Sequence, residues 1–322
     1  MGKNYKAING GYMGNIRISG FYDEVSGKLA DQIKAIKELN ESYLCPRNID
    51  GKNIADYTFE EFKRDVYPVL KKEGIKFSSI GSPIGKVGID DEEGYEKQKK
   101  QLAELIKIAQ LMECEYIRIF SFYYGDKKPE DCHEKVVKRL KELLKIAEGS
   151  GVKLMHENEK KVYGDRPERV LKLFNDVADE NLALCFDASN YVQCDVDPKV
   201  AFDMLKDHVS YYHIKDCSEY KVEVPVGTGK GNYDYILEEL AERNYSGFMT
   251  LEPHTFKYSM LKLPVYLIPC MPLIAKNYFK AFRLIDKAMN VKALKHISRK
   301  EVFFWQYKNL KELLKKAGNI NE

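Results

Sequence analysis

The stretch "LMHENEK", residues 154 to 160, is the one whose reading decides the fold. With Val152 before it, it begins as the apolar run of a buried parallel strand. It then turns polar, delivering His156, Glu157 and Glu159 within four positions. Burying an unpaired carboxylate is costly, so the strand must end at a solvated cleft or meet positive charge there.

Runs of the same kind recur on both sides. "IRISGFY" starts at 16, "SYLCP" at 42, "IKFSSIG" at 75 and "YIRIFSF" at 116; "VKLMHE" at 152 is followed by "LALCFD" at 182, "VSYYHIK" at 209 and "GFMTLEP" at 247. A helix-like stretch follows each of the eight. Thr58 with Glu61 fits a capping box, and Asp197 before Pro198 places a good N-cap ahead of a first-turn proline. "YEKQKKQLAELIKIAQLM" has helical apolar spacing with a charged face, and the glycines of "GSGVK" at 149 to 153 suit a helix stop. Eight strand–helix repeats with strands too apolar to be exposed predict an α/β fold, a (β/α)8 TIM barrel. A doubly wound open sheet is the competing architecture. "VGTGKGNY" at 226 to 233 follows a loop and not a strand, which speaks against a dinucleotide site.

Two regions lie outside the repeats, so the expected organisation is a barrel over 1–258 and a helical C-terminal extension over 259–322. "SMLKLPVYLIPCMPLIAK" (259 to 276) is apolar with three prolines, too broken for a helix or a central strand, and reads as a loop packed across the barrel. A substrate lid or a contact with a second copy are its other readings. The tail from 291 to 322 is basic, and "VFFWQY" at 302 to 307 is expected to pack it down.

Barrel enzymes place their chemistry at the C-terminal ends of the strands. The fifth strand ends in Glu157, the sixth in Asp187 and the eighth in Glu252, while the seventh carries His213 near its end. Their separations are each about one repeat, so four neighbouring strands bring four side chains to one point. Three carboxylates alone would repel. Three hard oxygen donors with one imidazole suit Mn²⁺, Mg²⁺ or Co²⁺, and less typically Zn²⁺. Strand alternation turns His156 towards the helices when Glu157 faces the barrel, which makes His156 structural. Glu159 shares the phase of Glu157 beyond the strand end.

The stretches "LMHENEKKVYGDRPERV", "CFDASNYVQCDVDP", "YYHIKDC", "VPVGTGKGNYDYIL" and "TLEPH" resemble the motifs of the sugar phosphate isomerase/epimerase family. That family belongs to the xylose isomerase-like TIM-barrel group, with the ketose 3-epimerases and the inosose isomerases and dehydratases. "SGFYDEVSGKLADQIKAIKELN" and "FSSIGSPIGKVGI" resemble its first and third βα units, so the likeness runs from about Ile16 to His254. It implies that Glu157, Asp187, His213 and Glu252 ligate one divalent metal, Mn²⁺ foremost. It also implies that Glu157 and Glu252 move the proton through a metal-stabilised enediolate of a sugar or polyol-derived ketone. The chain departs from the family pattern in three places. Asn190 stands where 3-epimerases carry a histidine, Glu159 ends what is often Glu-Asn-His, and Lys215 with Asp216 stand where an arginine is common. Asn190, Lys215, Arg47, Lys86, His254 and Glu159 are the substrate-binding candidates, and Arg118 is a further cation near a strand.

The same metal site also fits an inosose-type dehydratase, a lyase cleaving carbon-linked glycosides, or a barrel that binds a sugar or partner without catalysis. An endonuclease IV type needs more histidine ligands for several metals and a basic face, whereas of the six histidines here only His213 and His254 lie in suitable motifs. A net charge of +3 gives no reason to expect nucleic acid or membrane as a partner. Seven cysteines with no CxxC pair read as reduced thiols. With no apolar core in "MGKNYKAING" and no run long enough to span a bilayer, the expected location is cytoplasmic.

Overall fold

The computed structural model describes residues 15–320. The first ten residues, read above for a signal peptide, lie outside the described residues, as do the last two of the basic tail.

All eight apolar runs are strands: β1 (Ile16–Gly20), β2 (Tyr43–Leu44), β3 (Lys76–Phe77), β4 (Tyr116–Ile119), β5 (Lys153–Glu157), β6 (Leu182–Asp187), β7 (Val209–Ile214) and β8 (Gly247–Leu251). Six of them form one parallel sheet in the order β1-β8-β7-β6-β5-β4, and β2 pairs with β3. The ring closes through a few backbone contacts. Cys45 N donates to Gly20 O at 3.1 Å, joining β2 to β1, and Ile80 bridges Ile117, joining the end of β3 to β4. The first strand beside the last is the mark of a barrel, and it excludes the open doubly wound sheet.

Helices cover the outside: α1 (Leu29–Glu38), α2 (Tyr67–Glu73), α3 (Glu92–Leu111), α4 (Pro129–Ala147), α5 (Pro167–Val177), α6 (Ala188–Gln193), α7 (Pro198–Leu205) and α8 (Tyr233–Glu242). The expected caps are present: Thr58 and Glu61 form a capping box, and Asp197 accepts from Lys199 N. Strand alternation divides the side chains into two cores. Outward residues such as Leu154, Leu184 and Tyr212 meet the helices, while Met155, Ala183, Cys185, Tyr211 and Phe248 fill the barrel.

The region after β8 differs from the expectation. Residues 259 to 276 are not a loop but mostly helix, within α9 (Phe256–Leu267) and α10 (Met271–Ile274), followed by α11 (Lys276–Ala288). The prolines sit where a missing N–H costs little. Pro272 is in the first turn of α10, and Pro264, inside α9, frees only the carbonyl of Met260, a residue 65% exposed. The division expected at 258/259 falls inside α9. These three helices have a core of their own, including Tyr258, Val265, Phe282 and Ile285, packed on Val222 and Val224 of the hairpin after β7.

The last helix, α12 (Arg299–Lys316), returns to the barrel. It lies between α1 and α8: Lys300 Nζ is 2.6 Å from Glu38, and Asn319 just beyond it donates to Leu237 O at 2.8 Å. Phe303, Tyr307, Leu310 and Leu314 join the main core. Gly20 makes room for Phe303, since a Cβ there would lie 2.6 Å from Phe303 Cζ. The helix thus fills the eighth outer position, and α9 to α11 are inserted before it.

Candidate metal centre

Glu157, Asp187, His213 and Glu252 each offer one ligand atom, and these atoms lie within 4.8 Å of one another. All four are inward residues at the same end of four adjacent strands, in register: Asp187 opposite His213, His213 opposite Thr250 two before Glu252, and Cys185 opposite Glu157. Beneath them a web of hydroxyls supports the floor. Ser19 Oγ lies 2.7 Å from Ser78 Oγ and 2.6 Å from Thr250 Oγ1, and Tyr211 donates to Ser78 at 2.9 Å.

The tips of β5 and β6 are locked by Asn158, whose amide donates to Asp187 O and accepts from Asp187 N, both at 2.9 Å. Asn190 donates to Asn158 O at 2.8 Å and reaches Glu157 Oε1 at 3.4 Å. The next loop is held by Asp216, whose carboxylate accepts from the backbone of Gly227, Gly229 and Gly231, each at 2.9 Å. "VGTGKGNY" is therefore bound by a carboxylate of the chain itself.

Positive charge awaits the carboxylates. Arg118 Nη1 lies 3.1 Å from Glu157 Oε2 and 3.6 Å from Glu252 Oε1; Lys215 Nζ lies 3.1 Å from Asp187 Oδ2 and 3.4 Å from Glu252 Oε2. Arg47 reaches Glu252 Oε1 at 3.1 Å, and His254 Nε2 lies 3.5 Å from the same oxygen. Burial pushes the Glu157 carboxyl up, but His213 and Arg118 outweigh it and hold it at about 2. Burial raises Glu252 too, and Lys215 and His254 more than reverse this, leaving it well below the usual range. Asp187 is the exception: burial pushes it up to about 7, with Lys215 offsetting only part.

The donor set fits a divalent cation. Asp187 Oδ2 and both ring nitrogens of His213 are buried without a well-formed hydrogen bond, although Lys215 Nζ lies 3.1 Å from Asp187 Oδ2 and His213 Nδ1 lies 3.0 Å from Glu157 Oε1. His213 Nε2, buried with no partner at all, is the acceptor an ion would satisfy.

Of the ten residues expected at the site, eight are brought together. Glu157, Asp187, His213 and Glu252 form the cluster, and Asn190, Lys215, Arg47 and His254 touch it. Lys86 and Glu159 instead bind one another at 2.9 Å, both partly exposed. Three residues after β1 belong to the site without having been expected there. Asp23 takes two hydrogen bonds from Arg47, at 2.9 and 3.0 Å, and Glu24 accepts from His254 N at 2.7 Å and lies 2.8 Å from its Nδ1. Phe21 packs its ring 5.2 Å from that of His213, with Arg47 and Arg118 over its face. The available signal was "GFYDE", two acids and two aromatics directly past a strand end.

The chain belongs to the xylose isomerase-like TIM barrel family, whose pattern it matches over residues 32–264. Solved structures bear out the fold. A crystal structure of the IolI protein with a zinc atom superposes with a TM-score of 0.66 at 16% identity, covering 94% of this chain and 99% of that one. A D-tagatose 3-epimerase-like protein superposes with a TM-score of 0.67 at 17% identity, covering 94% and 98%. An uncharacterised protein of Methanocaldococcus jannaschii is 29% identical over 120 residues, which are 35% of this chain and only 41% of that relative.

Proposed function

We propose that this barrel is a divalent-metal-dependent isomerase or epimerase of a sugar or polyol-derived ketone. The observation that carries the reading is the buried cluster of four possible ligands, in which His213 Nε2 has no partner. Glu157, Asp187, His213 and Glu252 would hold the ion. When bound, it would polarise the substrate carbonyl and so acidify the adjacent carbon-bound proton. Glu157 and Glu252 are both held ionised in the free protein, so either can take that proton as the base, and the other returns one only once it has itself taken up a proton from water in the cycle. Asn190 and Arg118 orient Glu157, and Arg47 and His254 orient Glu252. Lys215 supplies a donor to a developing oxyanion. Arg47, His254, Lys86 and Glu159, the more exposed members, form the mouth that receives hydroxyl groups. Dehydration of an inosose-type substrate would use the same proton abstraction.

A second reading is favoured by Arg118 and Lys215, which already compensate the carboxylates: a barrel that binds a polyol without metal or turnover. Metal content by mass spectrometry after dialysis against Mn²⁺ and Mg²⁺ separates the two. One ion per chain, lost in Asp187→Ala and His213→Ala variants that remain folded, together with turnover in a ketose and inosose screen, is the expected result. A metal-free wild type would overturn the enzyme reading and leave the second.

A further inference from the structure

Leu267 to Ile274 run apolar without a break, yet the stretch is largely exposed: Leu267 60%, Ile268 45%, Leu273 83% and Ile274 75%. A run of exposed aliphatic residues of this length is not maintained by folding, because burying it would stabilise the chain; it belongs to a contact surface. Directly after it, Lys276, Lys280, Arg283 and Lys287 recur at helical spacing along α11 and are all exposed, while Ala281, Phe282 and Ile285 face the core. Among the described residues none of these four cations is in an ion pair. Between 256 and 300 ten Lys or Arg stand against a single acid, Asp286. Even that acid is buried, bonded to Tyr258 and Tyr266 and 2.7 Å from Lys262. The net charge of +3 thus hides a strongly basic segment in an otherwise acidic chain.

We infer that the inserted helical layer seats the protein on an anionic lipid surface, the aliphatic tip entering the headgroup–acyl boundary and the basic stripe lying over the headgroups. A projecting aliphatic tip next to lysines is the signature of interfacial binding. With no helix among the described residues long and apolar enough to cross a membrane, the attachment is peripheral. A second copy is disfavoured as occupant, since two such segments would set like charges face to face. Nucleic acid would use the cations but leave the aliphatic tip without a role.

The test is co-sedimentation of the full chain with vesicles of phosphatidylcholine alone and of phosphatidylcholine with one-third phosphatidylglycerol. The protein is expected to bind the second only, and to be released by salt. Leu273→Asp with Ile274→Asp, at positions too exposed to affect folding, abolishes binding. Lys276→Gln with Lys280→Gln weakens it about thirtyfold. No binding to the anionic vesicles overturns the proposal. So does a dimer in light scattering that the Asp variant converts to monomer without any vesicle binding, which would assign the tip to a second copy. Binding that survives in the Asp variant and is competed away by polyglutamate would likewise overturn it, in favour of an acidic protein.

Discussion

Lys215 shows how single residues set the balance of the site. Its ammonium sits between Asp187 and Glu252, almost wholly buried, so removing it leaves two carboxylates facing each other out of water. Lys215→Met should cost about 3–5 kcal/mol in the presence of chelator. Much of that should return with Mn²⁺, which restores the missing charge. Thermal denaturation of both proteins with and without metal checks this; equal Tm in chelator would mean the lysine is not a counter-charge. On the outer face of β5, His156 is buried, hydrogen-bonded to Ser121 at 2.9 Å, and tolerated only because residue 164 is glycine, where a Cβ would come within 2.5 Å of its ring. Burial pulls its pKa from 6.5 to about 4. Below the free value the unfolded chain takes up a proton that the folded one refuses, so stability is lost as pH falls from 6.5 to about 4. The loss is bounded at about 3 kcal/mol. Urea midpoints across that range should fall more steeply for the wild type than for His156→Gln. The four cluster residues were legible because one inward acid or histidine recurs once per βα repeat. Asp23, Glu24 and Phe21 were not, because they follow β1 and meet Glu252 and His213 only when β1 closes the ring against β8.

At the scale of elements, strand positions followed from apolar runs bounded by turn residues, and helices from capping and spacing. The region after β8 did not follow. Proline content argued against helix over 259 to 276, but a proline's effect depends on whether its position needs an N–H, and that is set by the helix boundaries. The basic tail is likewise part of the barrel. A chain ending at Asn290 would lose the buried Phe303, Tyr307, Leu310 and Leu314. Those side chains contribute about 1.5–3 kcal/mol each, together comparable with the stability of a whole domain. Such a truncation should show no cooperative melt by circular dichroism. A sharp transition near that of the full chain would show α12 to be dispensable.

For the whole molecule, the linear order of residues determined what depends on local chemistry and period. The repeat predicts eight strands, alternation decides which side of each faces inward, and the apolar-to-acidic switch at the strand tips marks one end for chemistry. The buried carboxylate of Glu157 is met by Arg118 and His213, which lie far from it in the chain. Only the tertiary structure decided that partnership, the placing of α12 as the eighth helix, and the exposure of the apolar stretch and of the cations beside it. The reason is physical. Period and propensity act over a few residues, whereas ring closure, ion pairing and exposure depend on distances in space between residues far apart in the chain.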